Sequence, residues 1–176
     1  MGRDGSLLWI VLLSAASVLG SWALACATPF AALAALAATR MNRRDGLALM
    51  LVAWFASQAV GFGIHHYSHE PGTLMWGGAI GTAAIMSLLA ARFAETMGRG
   101  SAARLALAYG GAVVGYKGML VLWSLALGGL SIALSPVYFA QGFVRDGAVL
   151  LGLLILYRVL VAIGVPAAAR GRLAVA

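Results

Sequence analysis

Three imidazoles within five residues, in Gly63-Ile64-His65-His66-Tyr67-Ser68-His69-Glu70-Pro71-Gly72, are the densest chemistry in this chain. Imidazole is the commonest metal ligand and titrates nearer neutrality than any other side chain, so the cluster, with the Glu70 carboxylate beside it, suits contact with a metal or a cofactor. His65 and His69 stand four apart, the spacing that shares one face of a helix, and His66 would then point elsewhere. The string is no His-Glu-x-x-His motif, and Pro71-Gly72 stops any helix. An interfacial loop of solvated imidazoles is the plainer alternative.

Cys26 is the only cysteine, so an internal disulfide is excluded. In Ala25-Cys26-Ala27 it reads either as a small buried hydrophobe or as a soft ligand or nucleophile. Other polar side chains sit inside apolar runs, where burial in lipid is costly: Ser57, Gln58, Lys117 beside Tyr116, and Arg158 beside Tyr157. Asp45, Glu70, Glu95 and Asp146 all read as interfacial, which leaves Lys117 with no carboxylate at its depth. It is expected to snorkel, meet backbone carbonyls or face a wet cavity, and Arg158 to snorkel. With no catalytic triad, phosphate loop or carboxylate pair, the chain does not read as an enzyme.

The elements that must position these residues are membrane-spanning helices. Of 176 residues, 62% are hydrophobic and only 10% charged, far from the soluble average of about 25% charged. Residues 7–25, 46–63, 74–91, 105–128 and 147–164 form apolar runs at or near the roughly 20 residues that cross about 30 Å of hydrocarbon. Residues 29–39 make a shorter one. The opening Met1-Gly2-Arg3-Asp4-Gly5-Ser6 and the Ala23-Leu24-Ala25 string also resemble a signal peptide. The first run is longer than a usual signal core, however, and apolar sequence resumes after Pro29, so it reads as a first helix.

Basic residues set the orientation. If residues 29–39 return as a short second helix, then Arg3, Arg40, Arg43, Arg44, Arg92, Arg99, Arg104, Arg170 and Arg172 all lie on the cytoplasmic side. The expectation is an all-α integral membrane protein: one domain over residues 1–176, a six-helix bundle with both termini cytoplasmic, multi-pass in a bacterial inner membrane. One long helix over residues 7–38, kinked at Pro29, gives five spans instead. At about 1.5 Å per residue that helix would run roughly 48 Å, far more than hydrocarbon needs, whereas residues 29–39 alone cover about half a membrane. Six spans bring Cys26 to the outer level of His65, His66, Tyr67 and His69.

Gly111 and Gly115, continued by Gly118, and Gly77, Gly78 and Gly81 read as faces of close helix packing. Trp9, Trp22, Trp54, Trp76 and Trp123 suit an aromatic belt, with Trp22 and Trp76 also able to cap an outward cavity. Residues 128–142, including Tyr138, are apolar but broken, and read as an outward loop that lies in the interface or closes as a lid.

Six spans in under 200 residues, both ends inside and three outward loops around a pocket resemble the substrate-binding S-component of energy-coupling-factor vitamin transporters, in particular the solitary BtuM-type cobalamin transporters. The resemblance covers the whole chain. It rests on topology, Cys26 and the histidine loop, with no diagnostic string. In that type the cobalt-ligating cysteine is expected after the third helix, where this chain has His65-His66-Tyr67-Ser68-His69. Imidazole is itself an axial ligand for cobalt.

The resemblance implies a membrane uptake protein that binds cobalamin, or a similar metal-containing substrate, at its outer face and moves it inward. Cys26, His65, His66 and His69 would be the metal ligands, Tyr67 and Tyr138 would line the substrate, and an energising transporter module would be a possible partner. A thiol at cobalt could also displace an upper ligand such as cyanide. The alternatives are a cobalt or nickel ion transporter and a haem- or metal-binding redox subunit, although haem takes axial ligands from opposed helices and these histidines share one loop. Arg40-Met41-Asn42-Arg43-Arg44 could dock a partner or anionic membrane lipid, or serve topogenesis alone. Despite a pI near 10.5, no nucleic-acid partner is expected, because the charge is used at the membrane surface.

Overall fold

A computed structural model describes residues 9–15 and 28–164; Cys26, expected to reach the site, lies outside them. The described residues are helical with no strand. In chain order they form α1 (residues 9–15), α2 (Phe30–Arg40), α3 (Arg43–Gly63), α4 (Pro71–Glu95), α5 (Ser101–Leu127), α6 (Leu130–Ala133) and α7 (Pro136–Ala162). Three of these helices, α3, α4 and α5, are long and apolar enough to cross a membrane. Their outward-facing side chains, such as Phe55, Leu89, Val114 and Leu122, are large, apolar and exposed, as lipid contact requires.

The short helix is the hub. Every residue of α2 from Phe30 to Thr39 is buried, and α3, α4, α5 and α7 all pack on it. A helix apolar on all sides has no face to offer water, and its six alanines let four neighbours come close. At 11 residues it is only about 16 Å long. It therefore fills one half of the bundle, the half toward the arginines.

The turn after α2 is tightly held. Asn42 caps α3, its side chain accepting the Asp45 N–H at 2.9 Å, and Arg92 of α4 donates to the carbonyls of Met41 and Asn42 at 3.2 and 2.8 Å. Trp9 of α1 lies against Tyr157 of α7 with ring centroids 4.6 Å apart, and the Arg40 guanidinium covers the same tyrosine at 5.4 Å. The start of α1 and the end of α7 thus share the arginine end.

The glycine faces divide. A Cβ at Gly111 would lie 2.6 Å from Ala94 and 2.7 Å from the Ala90 carbonyl, and one at Gly115 would lie 2.7 Å from Ala90 and from the Met86 carbonyl. These two glycines seat α5 on α4, beside a Ser87 hydroxyl that donates to the Ala112 carbonyl at 2.9 Å. Gly77 and Gly81 receive Gln58 and Trp54 of α3, and the Trp54 indole N–H donates to the Gly77 carbonyl at 2.9 Å. Gly78 and Gly118 face open space.

The last helix departs from expectation. It begins at Pro136, so residues 136–142, read from the sequence as part of a broken loop or lid, form its first turns. Proline at the first helical position loses no hydrogen bond and starts the helix rather than breaking it. Only residues 128–135 connect α5 to α7, through Gly128 and Gly129 at φ +88° and +86° and the single turn of α6. Tyr138 stands exposed on the first turn of α7.

Candidate functional site

The histidine loop joins α3 to α4 at the end of the bundle opposite the arginines. The Val60 carbonyl accepts the N–H groups of Ile64 and His65 at 2.9 and 3.1 Å, and the chain then reverses at His66, whose φ of +51° is left-handed. The reversal lets the Tyr67 N–H bond the Gly61 carbonyl at 3.1 Å and lays the Tyr67 ring over Gly61. Ser68 accepts the Glu70 N–H at 3.2 Å. Glu70 then precedes Pro71 at the start of α4, where the helix dipole favours its carboxylate.

Phe62 gathers the loop. Its ring lies 5.3 Å from His69 and edge-on to Tyr67 at 6.1 Å, and His65 stacks on Tyr67 at 6.0 Å. His65, Tyr67 and His69 are thereby held as one exposed aromatic group, with His66 at the reversal beside them. No hydrogen bond or ring contact brings Tyr138 to this group. Among the described residues, no three of His, Cys, Asp and Glu stand close enough together to hold a metal ion. The imidazoles can each offer one nitrogen to a metal that arrives with other ligands, but these residues alone make no cage for a bare ion.

Beneath the loop the bundle is polar in places. The Trp123 indole N–H donates to Thr82 at 2.8 Å, and Trp76 approaches Gly129 at the α5 to α6 turn. Lys117 lies ten residues before the end of α5, and Asp146 lies ten residues after the start of α7. Asp146 pairs with Arg145 at 3.3 Å and also interacts with the charge of Lys117. Tyr109 of α5 donates to the Phe143 carbonyl of α7, and Tyr116 stacks on Phe30 at the top of α2 at 5.8 Å.

At the opposite end, Thr39, Arg40, Glu95, Ser101 and Arg104 line a cavity of about 300 Å³, with Glu95 and Arg104 paired at 3.6 Å. Arg43, Arg44, Arg92 and Arg99 lie at the same end of the bundle. No protein-family model, curated protein or solved structure matches the chain. Its chemistry must be argued from these residues alone.

Proposed function

We propose that this chain is a multi-pass membrane uptake protein that takes a cobalamin-like corrinoid at the histidine-loop end of its bundle and delivers it toward the arginine end. In this reading the spans are α1 with the residues that follow it, α2, α3, α4, α5 and α7, with both termini cytoplasmic in a bacterial inner membrane. The arginine-rich end supports that orientation through the positive-inside rule. The half-length α2 supports the direction of uptake, because it packs one half of the bundle and leaves the loop half for a ligand.

The observation that carries the reading is three imidazoles on one exposed loop with no third converging donor among the described residues. A corrinoid brings four equatorial nitrogens to its cobalt and needs only an axial ligand from the protein, so one imidazole, or the Cys26 thiolate, suffices. A bare cobalt or nickel ion would need several protein donors together. Haem held between two histidines needs them on opposed elements. Closing of the loops and toppling of the bundle, alone or with an energising transporter module, would complete transport.

The test is an absorption titration of the detergent-solubilised protein with aquocobalamin. A shift of the corrin bands is expected, and it should be lost in one of His65→Ala, His66→Ala, His69→Ala or Cys26→Ala. No shift in the wild type overturns the reading. Purified protein carrying nickel or cobalt without a corrin would favour ion uptake, and a Soret band would favour a redox subunit.

A further inference from the structure

The cavity at the arginine end takes no part in the chemistry of the histidine loop. Three chain segments build it: the last turn of α2 with Thr39 and Arg40, the end of α4 with Glu95, and the first turn of α5 with Ser101 and Arg104. Between α4 and α5 its wall is backbone that requires glycine. A Cβ at Gly98 would lie 2.7 Å from the Arg104 backbone nitrogen, and Gly100 holds φ at +92°. That side of the recess is therefore fixed by the turn itself and not by side-chain rotamers.

Positive charge in the recess exceeds what its one carboxylate balances. Glu95 is buried and pairs with Arg104 at 3.6 Å. Arg40 lies over the Tyr157 ring at 5.4 Å, and among the described residues its guanidinium has no hydrogen bond or ion pair. No side chain caps α5, so the N–H groups of its first turn and its positive dipole end add to the surplus. Topogenesis alone needs basic residues near the helix ends, such as the exposed Arg43 and Arg44, and no recess lined by them. Two guanidiniums, the Ser101 hydroxyl and backbone N–H groups around one space suit an oxyanion with several acceptor oxygens, which a planar guanidinium holds through two parallel N–H bonds.

We propose that this recess binds a phosphate group, with Arg40 and the first turn of α5 as donors and Glu95 holding Arg104 beside them. Arg40 is placed for it in advance: it ends a helix buried on every side, and Tyr157 covers one face of its guanidinium while leaving the N–H edge for hydrogen bonding. Free phosphate and the phosphate of an anionic lipid headgroup both present this chemistry. The recess lies at the ends of α4 and α5, where headgroups meet water if these helices cross the membrane as their length and hydropathy allow. Such binding is independent of what the histidine loop carries.

Thermal unfolding of the full chain in a neutral detergent tests this, with inorganic phosphate and dihexanoyl phosphatidic acid as probes and sodium chloride at matched ionic strength as the control. A saturable rise of the unfolding midpoint is expected with a phosphate compound and not with chloride. Stabilisation by inorganic phosphate assigns a free-phosphate site, and stabilisation by the short lipid alone assigns a headgroup site. Arg40→Gln should weaken the binding at least about tenfold, the scale of one charge-assisted hydrogen bond, and Arg40→Lys should recover part of it. Arg104→Gln should weaken it too, and gives a reading if Arg40→Gln fails to fold. Arg44→Gln, which removes the same charge from an exposed position outside the recess, should leave it nearly unchanged. No saturable stabilisation by either phosphate compound, affinity kept in Arg40→Gln or Arg104→Gln, or an equal loss in Arg44→Gln overturns the site.

Discussion

The Tyr67 ring lies directly over Gly61, so that a Cβ added there would sit 2.7 Å from the ring. The contact fixes the loop against the last turn of α3, and through the Tyr67 stack it fixes His65. Because Tyr67 is an exposed side chain, it can swing away at little cost, unlike a backbone neighbour. Gly61→Ala is therefore expected to change stability by less than about 1 kcal/mol. It should weaken corrinoid binding by about 0.5–1.5 kcal/mol, the worth of one aromatic contact. Thermal unfolding and band-shift titration of the same preparation check the two halves, and a large loss of stability would show that Gly61 serves the fold instead.

The glycines of α5 make a sharper contrast. At Gly115 a side chain would strike the Met86 carbonyl and the Ala90 methyl, and at Gly111 the Ala90 carbonyl, none of which can move without moving α4. Gly115→Val should cost about 1–3 kcal/mol by overpacking. Gly118→Ala faces open space and should be neutral, or stabilising by up to about 1 kcal/mol through helix propensity. Equal unfolding midpoints for the two variants would show that α4 and α5 do not pack on this face in detergent.

Much of this architecture is legible in the sequence because lipid allows few solutions. Apolar runs of about 20 residues mark α3, α4 and α5, and only their ends were read too short, since caps and polar first turns such as Asn42, Asp45 and Arg104 lie outside the greasy run. Gly111 and Gly115 were readable as a contact face from spacing alone. The central place of α2 was not readable, because a helix apolar on all sides gives periodicity no direction to report. Residues 136–142 were read as part of a broken loop where Pro136 begins a helix. The histidine loop was readable as a loop, but its grouping around Phe62 depends on the backbone reversal at His66, which residue types do not announce.

His66 and Arg99 flank the two ends of α4, one in the imidazole loop and the other in the turn before α5. If α4 crosses the membrane as its length and hydropathy allow, these positions face opposite compartments. In cells with an accessible outer face, an impermeant thiol reagent should label His66→Cys made in a Cys26→Ala background. Arg99→Cys in that background should react only after the membrane is opened. The native Cys26 should behave as position 66 does. Labelling of Cys26 and position 66 from different sides would separate the thiol from the imidazoles and remove Cys26 from the proposed ligand set.

Lys117 and Asp146 belong to different helices, and their equal distance from the α5 to α7 turn makes them neighbours only if those helices run side by side at that depth. A double-mutant cycle measures this without a ligand. Asp146→Asn should destabilise the protein, because it leaves two cations without their carboxylate, whereas Lys117→Met leaves the Arg145 and Asp146 pair balanced and should cost little. The double variant should be less destabilised than the sum, with a coupling of about 0.5–3 kcal/mol, the range for residues that share one charge network. Lys117→Met combined with Glu70→Gln, at the helix end, should be additive within about 0.5 kcal/mol. Strict additivity in the first cycle would mean that the two charges do not face each other. Arg145 alone would then balance Asp146, and Lys117 would have to reach the membrane surface along its own helix.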